Sequence, residues 1–325
     1  MSNAMDAGSS TPTAARQVVC LGVFDGVHRG HVSILGAAKR FAHGIERSRV
    51  TAVTFDPHPS TVVRPDHPQP LLQPLQDRAD CLRSLGCHTV IVLPFNQDMS
   101  SRSPEEFWSI LREAVPGQIM GLFAGRNWRF GAGRSGDMST LARLARPSGC
   151  LVVGVPPIIE SEHVISSSWI RQSVQVGDLG QAERLLGKPF GISGLVIQGK
   201  QLARQWGVPT ANFIPEQECL PPFGVYVADV FSEGSPLAKA VVNIGVRPSL
   251  HDGHATAMVE AHLIDFDGNL YGRKITVIPF RQMRTERRFE TPEELRIQIL
   301  KDVADAKDCL ASRIGTRSEV KAEPT

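Results

Sequence analysis

The sequence predicts two modules in series: an α/β unit built on an open, doubly wound parallel sheet, then an antiparallel β-barrel that ends in a terminal helix. Three observations carry this reading. The first half alternates short, continuous apolar runs with amphipathic stretches, the pattern of strands buried on both faces and joined by helical crossovers. The second half passes from one strand-like run to the next through Gly, Pro and Asp turns, with no helix between them. Between the halves, Gly187-Lys188-Pro189-Phe190-Gly191 supplies the punctuation of a module junction.

In order, the first-half strands are expected over residues 18–24, 50–55, 89–95, 121–125 and 151–155, and its helices over 31–42, 77–85, 104–113 and 139–145. A further helical stretch, 181–186, reaches the junction. Ligands of an open parallel sheet bind beyond the carboxyl ends of its strands, so the loops that follow them are where chemistry is expected. The barrel strands are expected over 192–198, 224–231, 238–244, 258–266 and 274–280. A last helix, 292–310, places Leu295, Ile299, Val303 and Ala306 on one face. The expected modules are 16–186 and 187–312, with 1–15 and 313–325 disordered. Met1-Ser2-Asn3-Ala4 reads as an expression scar ahead of a native start at Met5. No segment of 20–50 residues repeats.

With 325 residues, 42% of them hydrophobic and 21% charged, the chain can bury two substantial cores. Its 35 basic and 33 acidic side chains leave a net +2, without the basic stripe of a nucleic-acid binder. No apolar run reaches the ~20 residues of a membrane span, and no secretory leader opens the chain. Six scattered cysteines without a C-x-x-C pair point to reduced thiols and a cytoplasmic location, not to a disulfide frame or a zinc site.

The first chemical constellation is Gly22-Val23-Phe24-Asp25-Gly26-Val27-His28-Arg29-Gly30-His31, which leaves the first strand and enters the first helix. A glycine-bearing turn there lets backbone N–H groups approach phosphate, and the helix start favours negative charge. His28 and His31 are three apart and share a face, so two imidazole donors could converge on one phosphate. Taken alone, such a pair could equally cap and pack the turn or hold a metal; its place after strand one favours nucleotide binding. Asn127-Trp128-Arg129-Phe130-Gly131 follows the fourth strand and reads either as part of that site or as a solvated loop. Ser166 and Ser167, with Arg171 beyond them, precede a helix, where hydroxyls serve as caps or as ligands. Thr54-Phe55-Asp56-Pro57-His58-Pro59 ends the second strand, as a substrate neighbour or as simple turn chemistry.

The second constellation lies in the barrel half. Gly199 leads through a polar loop to Pro209-Thr210-Ala211-Asn212. Thr210 and Asn212, two apart on an extended segment, project to the same side. Their hard oxygens suit Mg²⁺ shared with ATP phosphates; the plain alternative is a turn followed by a strand. Glu260 alternates with apolar neighbours and is either a solvated face residue or a base.

The ordered set G-x-F-D-G-V-H-x-G-H, T-F-D-P-H-P, W-R-F-G-x-G-R-S-G-D, I-S-S-S-x-I-R, P-T-A-N, G-V-Y, N-I-G-x-R-P-S and V-E-x-H-L-x-D-F resembles the bacterial bifunctional riboflavin kinase/FAD synthetase family from about Val18 to Leu310. The resemblance implies a nucleotidyltransferase-type front module and a riboflavin-kinase-type barrel, converting riboflavin to FMN and FMN to FAD with ATP. It implies that His28 and His31 act on phosphate, with Gly22, Phe24, Asp25, Gly30, Asn127, Ser166, Ser167 and Arg171 binding ATP. In the barrel it implies a Mg²⁺–ATP site with Gly199, Arg204, Thr210 and Asn212, metal on Thr210 and Asn212, Glu260 as base, and Arg284 at the flavin end. His262 reads as structural. One departure stands out: the family loop Gly-Arg-x-Leu-Gly is here Ala203-Arg204-Gln205-Trp206-Gly207. Losing the glycine and gaining a tryptophan is expected to change how that loop closes. The expected partners are the small molecules ATP, riboflavin and FMN, with no nucleic acid and no membrane, and with weak self-association allowed. The alternative expectation is a chain that keeps only FMN adenylyltransferase activity, its barrel serving as a flavin-binding module.

Overall fold

The computed structural model describes residues 15–199, 203–248 and 255–319, excepting the side chains of 203, 204, 247, 248, 255 and 312–319. The chain divides into two compact units, residues 1–167 and 168–325.

The first unit runs β1 (Arg16–Leu21), α1 (Arg29–His43), β2 (Ser48–Asp56), α2 (Pro59–Val63), α3 (Leu75–Ser84), β3 (Thr89–Pro94), α4 (Gln97–Ser101), α5 (Pro104–Ala114), β4 (Gln118–Gly125), α6 (Met138–Ala145) and β5 (Leu151–Val155). A small hairpin, β6 (Ile159–Glu160) with β7 (His163–Val164), follows. The five long strands form one parallel sheet in the order β3-β2-β1-β4-β5. Successive side chains of a strand point to opposite faces. Val18 and Cys20 accordingly pack with Leu35 and Ala38 of α1 and Leu82 of α3. Val19 and Leu21 pack on the other side with Phe107 and Leu111 of α5 and Leu141 of α6. That two-sided burial is why the strand reads as an unbroken apolar run. The strand order reverses between β1 and β4, so the loops after these two strands diverge and leave a crevice at the carboxyl edge.

Two boundaries differ from expectation in a way that matters. β1 stops at Leu21, so Gly22, Val23 and Phe24 belong to the loop, and α1 begins at Arg29. The elements α2, α4 and the hairpin went unpredicted because five-residue and two-residue elements carry no readable period.

The division between units falls at the start of α7 (Ser167–Gln175), ahead of the boundary expected at Gly187, so α7 and α8 (Leu179–Leu186) are grouped with the second unit. Gly187 ends α8 in the left-handed conformation, φ 76°. Then come β8 (Ile192–Leu195), β9 (Ala211–Phe213), β10 (Gly224–Ser232), β11 (Ser235–Pro248), β12 (Ala255–Leu263), β13 (Lys274–Thr285) and α9 (Pro292–Glu319). The antiparallel sheet has the order β8-β13-β10-β11-β12-β9. A bridge between Ile197, just past β8, and Asn212 in β9 joins its two ends into a nearly closed barrel. α9 packs Ala306 against Val225, Val227 and Val241, with Val303 and Leu310 beside it. It continues to Glu319, so residues 313–319, expected to be disordered, are helical. Residues 1–14 and 320–325 of the expected tails lie outside the described residues. Among the described residues no helix is long and apolar enough to cross a membrane, and the six cysteines form no disulfide.

Candidate active sites

Residues 22–28, between β1 and α1, form a tightly wound loop. Phe24, Gly26 and Val27 take φ values of 56°, 81° and 44°. For Phe and Val this region is costly, so the surroundings must impose it. The Gly22 N–H donates to Val53 O at 3.2 Å and the Val27 N–H to Phe24 O at 3.0 Å. Thr54 Oγ1 donates to Val23 O at 2.8 Å. The buried Asp25 carboxylate accepts the N–H groups of Leu72 and Gln73 at 3.1–3.2 Å. Ser167 Oγ donates to Asp25 O at 2.9 Å.

This loop delivers His28 as the N-cap of α1. Its Nδ1 accepts the Gly30 N–H at 3.1 Å, which leaves Nε2 to carry the ring proton as a donor. The His31 ring stacks on it at 3.7 Å and 19°. Phe24 lies edge-on to His31 at 5.1 Å and is itself fully buried. Its side chain therefore supports His31 from the core and offers no face to a ligand. Gly30 is required by close approach: a Cβ there would lie 2.9 Å from His28 Cε1. α1 has no acidic residue in its first turn to repel an anion at the positive helix end. Arg29, between the histidines, pairs with Glu160 of the hairpin at 2.7 Å.

Across the crevice, Asn127 is exposed in the turn that leaves β4, where the Trp128 N–H donates to Gly125 O at 2.8 Å. The loop returns through a Phe130–Gly136 bridge to Asp137, which caps α6 by accepting the Thr140 N–H at 2.9 Å. Hydrogen bonds from Ser139 and Thr140 hold the Asp137 carboxyl well below the usual range. At the end of β2, His58 caps α2 by accepting the Ser60 N–H at 3.1 Å. Ser166 and Ser167 are half-buried at the start of α7, and Arg171, one turn on, is buried.

In the second unit, strand register does the positioning. Glu260 of β12 lies opposite Asn212 of β9 on one side and Asn243 of β11 on the other. Asn212 is buried, and its Nδ2 donates to Thr210 O and Thr210 Oγ1, both at 3.1 Å. Gly199 packs against this amide so closely that a Cβ would lie 2.6 Å from Nδ2. Two cavities meet at Thr210. One, about 640 Å³, is lined by Val196, Pro209, Leu263, Phe266, Asn269 and Tyr271. The other, about 260 Å³, holds Glu260, Asn243, Arg284, Phe289 and, from α9, Leu295 and Asp302. His262 Nδ1 donates to Pro209 O at 2.9 Å, pinning the segment that carries Thr210. Arg284 is bound to α9, donating to the buried Asp302 carboxylate through Nε at 3.1 Å and an Nη at 2.7 Å. The side chain of Arg204 lies outside the described residues.

Sequence reasoning missed two charged groups at these sites. Asp302 looked like one more polar residue of an amphipathic helix. Arg78, on α3, is 1% exposed and donates to Val23 O at 3.1 Å and Phe55 O at 3.2 Å. Burial lowers its pKa, while Asp25 and Asp56 pull it back up. Neither residue belongs to a motif, and the only signal was a charge at a position the helical period makes buried.

Residues 10–169 match the family model for FAD synthetase, and residues 186–310 match that for riboflavin kinase. The bifunctional riboflavin kinase/FMN adenylyltransferase of Bacillus subtilis is 36% identical over 297 residues, covering 90% of this chain and 92% of its own. That of Pseudomonas fluorescens is 37% identical over 292 residues, covering 89% and 92%. The Escherichia coli K12 protein is 33% identical over 292 residues, covering 90% and 92%. A solved chain from Streptococcus pneumoniae, described as a macrolide-efflux protein, has a TM-score of 0.76 at 27% identity and covers 91% of this chain and 95% of its own. With both halves matched in order, and relatives 33–37% identical over about nine-tenths of its length, this chain belongs to the bifunctional riboflavin kinase/FMN adenylyltransferase family.

Proposed function

We propose that this chain phosphorylates riboflavin to FMN in its barrel and adenylylates FMN to FAD at the edge of its parallel sheet, using one ATP for each step. The observation that carries the reading is that each unit has its own groups suited to a triphosphate. The first has the stacked His28 and His31 at a helix start; the second has Thr210 where two cavities meet.

For adenylyl transfer, an FMN phosphate oxygen attacks the α-phosphorus of ATP, the bond to the β-phosphate oxygen breaks, and pyrophosphate leaves. His28 Nε2–H is aimed by the Gly30 N–H on its other nitrogen, and with His31 it stabilises charge building on the leaving phosphates. Asn127 and the Ser166–Ser167–Arg171 element serve the same triphosphate, while Asp25 and Phe24 act through the loop they shape. For the kinase step, the riboflavin 5′-hydroxyl attacks the γ-phosphorus, Glu260 takes the hydroxyl proton, and ADP leaves. The larger cavity suits the nucleotide and the smaller one the flavin, with Arg284 acting through its tie to α9.

Thr210 and Asn212 offer neutral oxygens, and among the described residues no cluster of three or more His, Cys, Asp or Glu side chains could hold a metal. A cation there would fill its shell from phosphates and water, the habit of Mg²⁺. Bound there, it would supply charge compensation for the transferred phosphoryl group. The adenylyltransferase module is assigned to 16–186 and the kinase to 187–312, working on small molecules without nucleic acid. Six cysteines without a disulfide and ATP as substrate suit the cytoplasm.

Chromatography of one incubation with riboflavin, ATP and Mg²⁺ tests this directly. FMN should appear first and FAD after it. FAD from supplied FMN, with no FMN from riboflavin, would instead leave the barrel a binding module.

A further inference from the structure

We propose that Arg78 is a positioning residue for adenylyl transfer, fixing the loop after β1 against the end of β2 and so setting the distance between donor and acceptor. The inference rests on the adenylyltransferase reading of the first unit.

A guanidinium with 1% exposure requires an explanation, because an apolar side chain in the same space is usually no less stable. Arg78 donates one Nη to Val23 O and the other to Phe55 O. These carbonyls belong to different strand ends. Val23 lies in the loop that carries His28, next to Phe24 with its φ of 56°. Phe55 immediately precedes Asp56-Pro57-His58, where β2 ends. The side chain thus bridges the point where β1 and β2 part, beyond the last backbone link from Gly22 N–H to Val53 O. A planar fork with several donors suits two carbonyls facing from separate segments. Its charge is balanced from the same two segments, by Asp25 in the loop and Asp56 at the strand end. Thr54 adds a second donor to Val23 O. The phosphate-binding loop and the neighbouring strand end are therefore held in one frame by α3, a helix that carries no other residue of the proposed site.

In-line displacement at phosphorus depends on reactants held near attack distance, and a misplacement of about 1 Å can cost about 100-fold. Losing this frame should reduce turnover more than binding, since each substrate keeps its own contacts.

The test uses the whole chain with Arg78→Met, Arg78→Lys, Arg78→Gln and His28→Ala, with the circular-dichroism melting curve reporting the folding of the first unit and riboflavin phosphorylation that of the second. Arg78→Met should lower kcat for FAD formation about 100-fold, leave the KM values for ATP and FMN within about 3-fold, and spare FMN formation. Arg78→Lys, which keeps the charge but replaces the fork by a single ammonium, should recover only part of the loss, to within about 10-fold of the parent. A parent-like kcat in Arg78→Met would overturn the proposal, as would KM values that rise with the loss and no recovery by lysine. Should Arg78→Met fail to accumulate, Arg78→Lys against Arg78→Gln decides: the proposal requires the lysine form to be the faster by about 10-fold at equal KM, and equal rates overturn it. His28→Ala separates the two levels, because undiminished FAD formation in that variant defeats the site assignment itself, whatever Arg78 does.

Discussion

Gly30 shows how narrowly the first site is drawn. A methyl group there would meet the His28 ring at 2.9 Å, and that ring cannot retreat, being buried and stacked on His31. Gly30→Ala should therefore slow FAD formation from FMN by about 10- to 100-fold while leaving FMN formation from riboflavin intact, as read from initial rates for each product. Gly199 is its counterpart in the barrel, where a Cβ would press on the Asn212 amide at 2.6 Å. Gly199→Ala should raise the KM for ATP in the kinase reaction and shift the Mg²⁺ dependence upward; an unchanged Mg²⁺ titration would speak against Asn212 as a metal-side group. The pairs His28–His31 and Thr210–Asn212 could be read from the sequence because their spacing keeps them together whatever the rest of the chain does, whereas Glu260 reaches Asn212 only through the pairing of β12 with β9. Arg78 and Asp302 could not be read, because their partners lie on other elements and only the fold supplies them.

Among the elements, α9 does more than cover the barrel. Its Asp302 carboxylate, 5% exposed, holds Arg284 of β13 in a two-pronged ion pair, and both residues line the smaller cavity. Asp302→Asn leaves a guanidinium short of its counter-charge, at a cost of about 2–3 kcal/mol because Arg284 is itself only 22% exposed. The expected outcome is a lower urea midpoint for the second unit and a higher KM for riboflavin. A normal KM with lowered stability would confine Arg284 to a structural role. The long strands and α1, α5 and α6 were readable from their apolar period, whereas α2, α4, β6 and β7 were too short to show one. The β1–α1 boundary was misjudged because Val23 and Phe24 are as apolar as strand residues. Their burial serves the loop and not the sheet, and hydropathy does not separate the two.

Over the whole molecule, burial governs the thiols. It raises Cys20, and it pushes Cys87 from about 9 to about 11 and Cys150 to about 12. At pH 8 these buried thiols stay protonated, so iodoacetamide should modify the half-buried Cys81 and Cys309 first and spare these three until the chain unfolds. Above pH 9 the unfolded chain loses thiol protons that the folded chain keeps, so the melting temperature should fall as pH rises through 9–11. A flat profile would mean that these thiols ionise freely in the native state.

The two chemistries are expected to sit in two units and to fail separately. Product chromatography of His28→Ala and Glu260→Gln, each supplied with ATP and either riboflavin or FMN, tests this most directly. His28→Ala should accumulate FMN and make no FAD, and Glu260→Gln should make FAD from FMN but nothing from riboflavin. Loss of both products in either variant, or FMN synthesis undiminished in Glu260→Gln, would contradict the account.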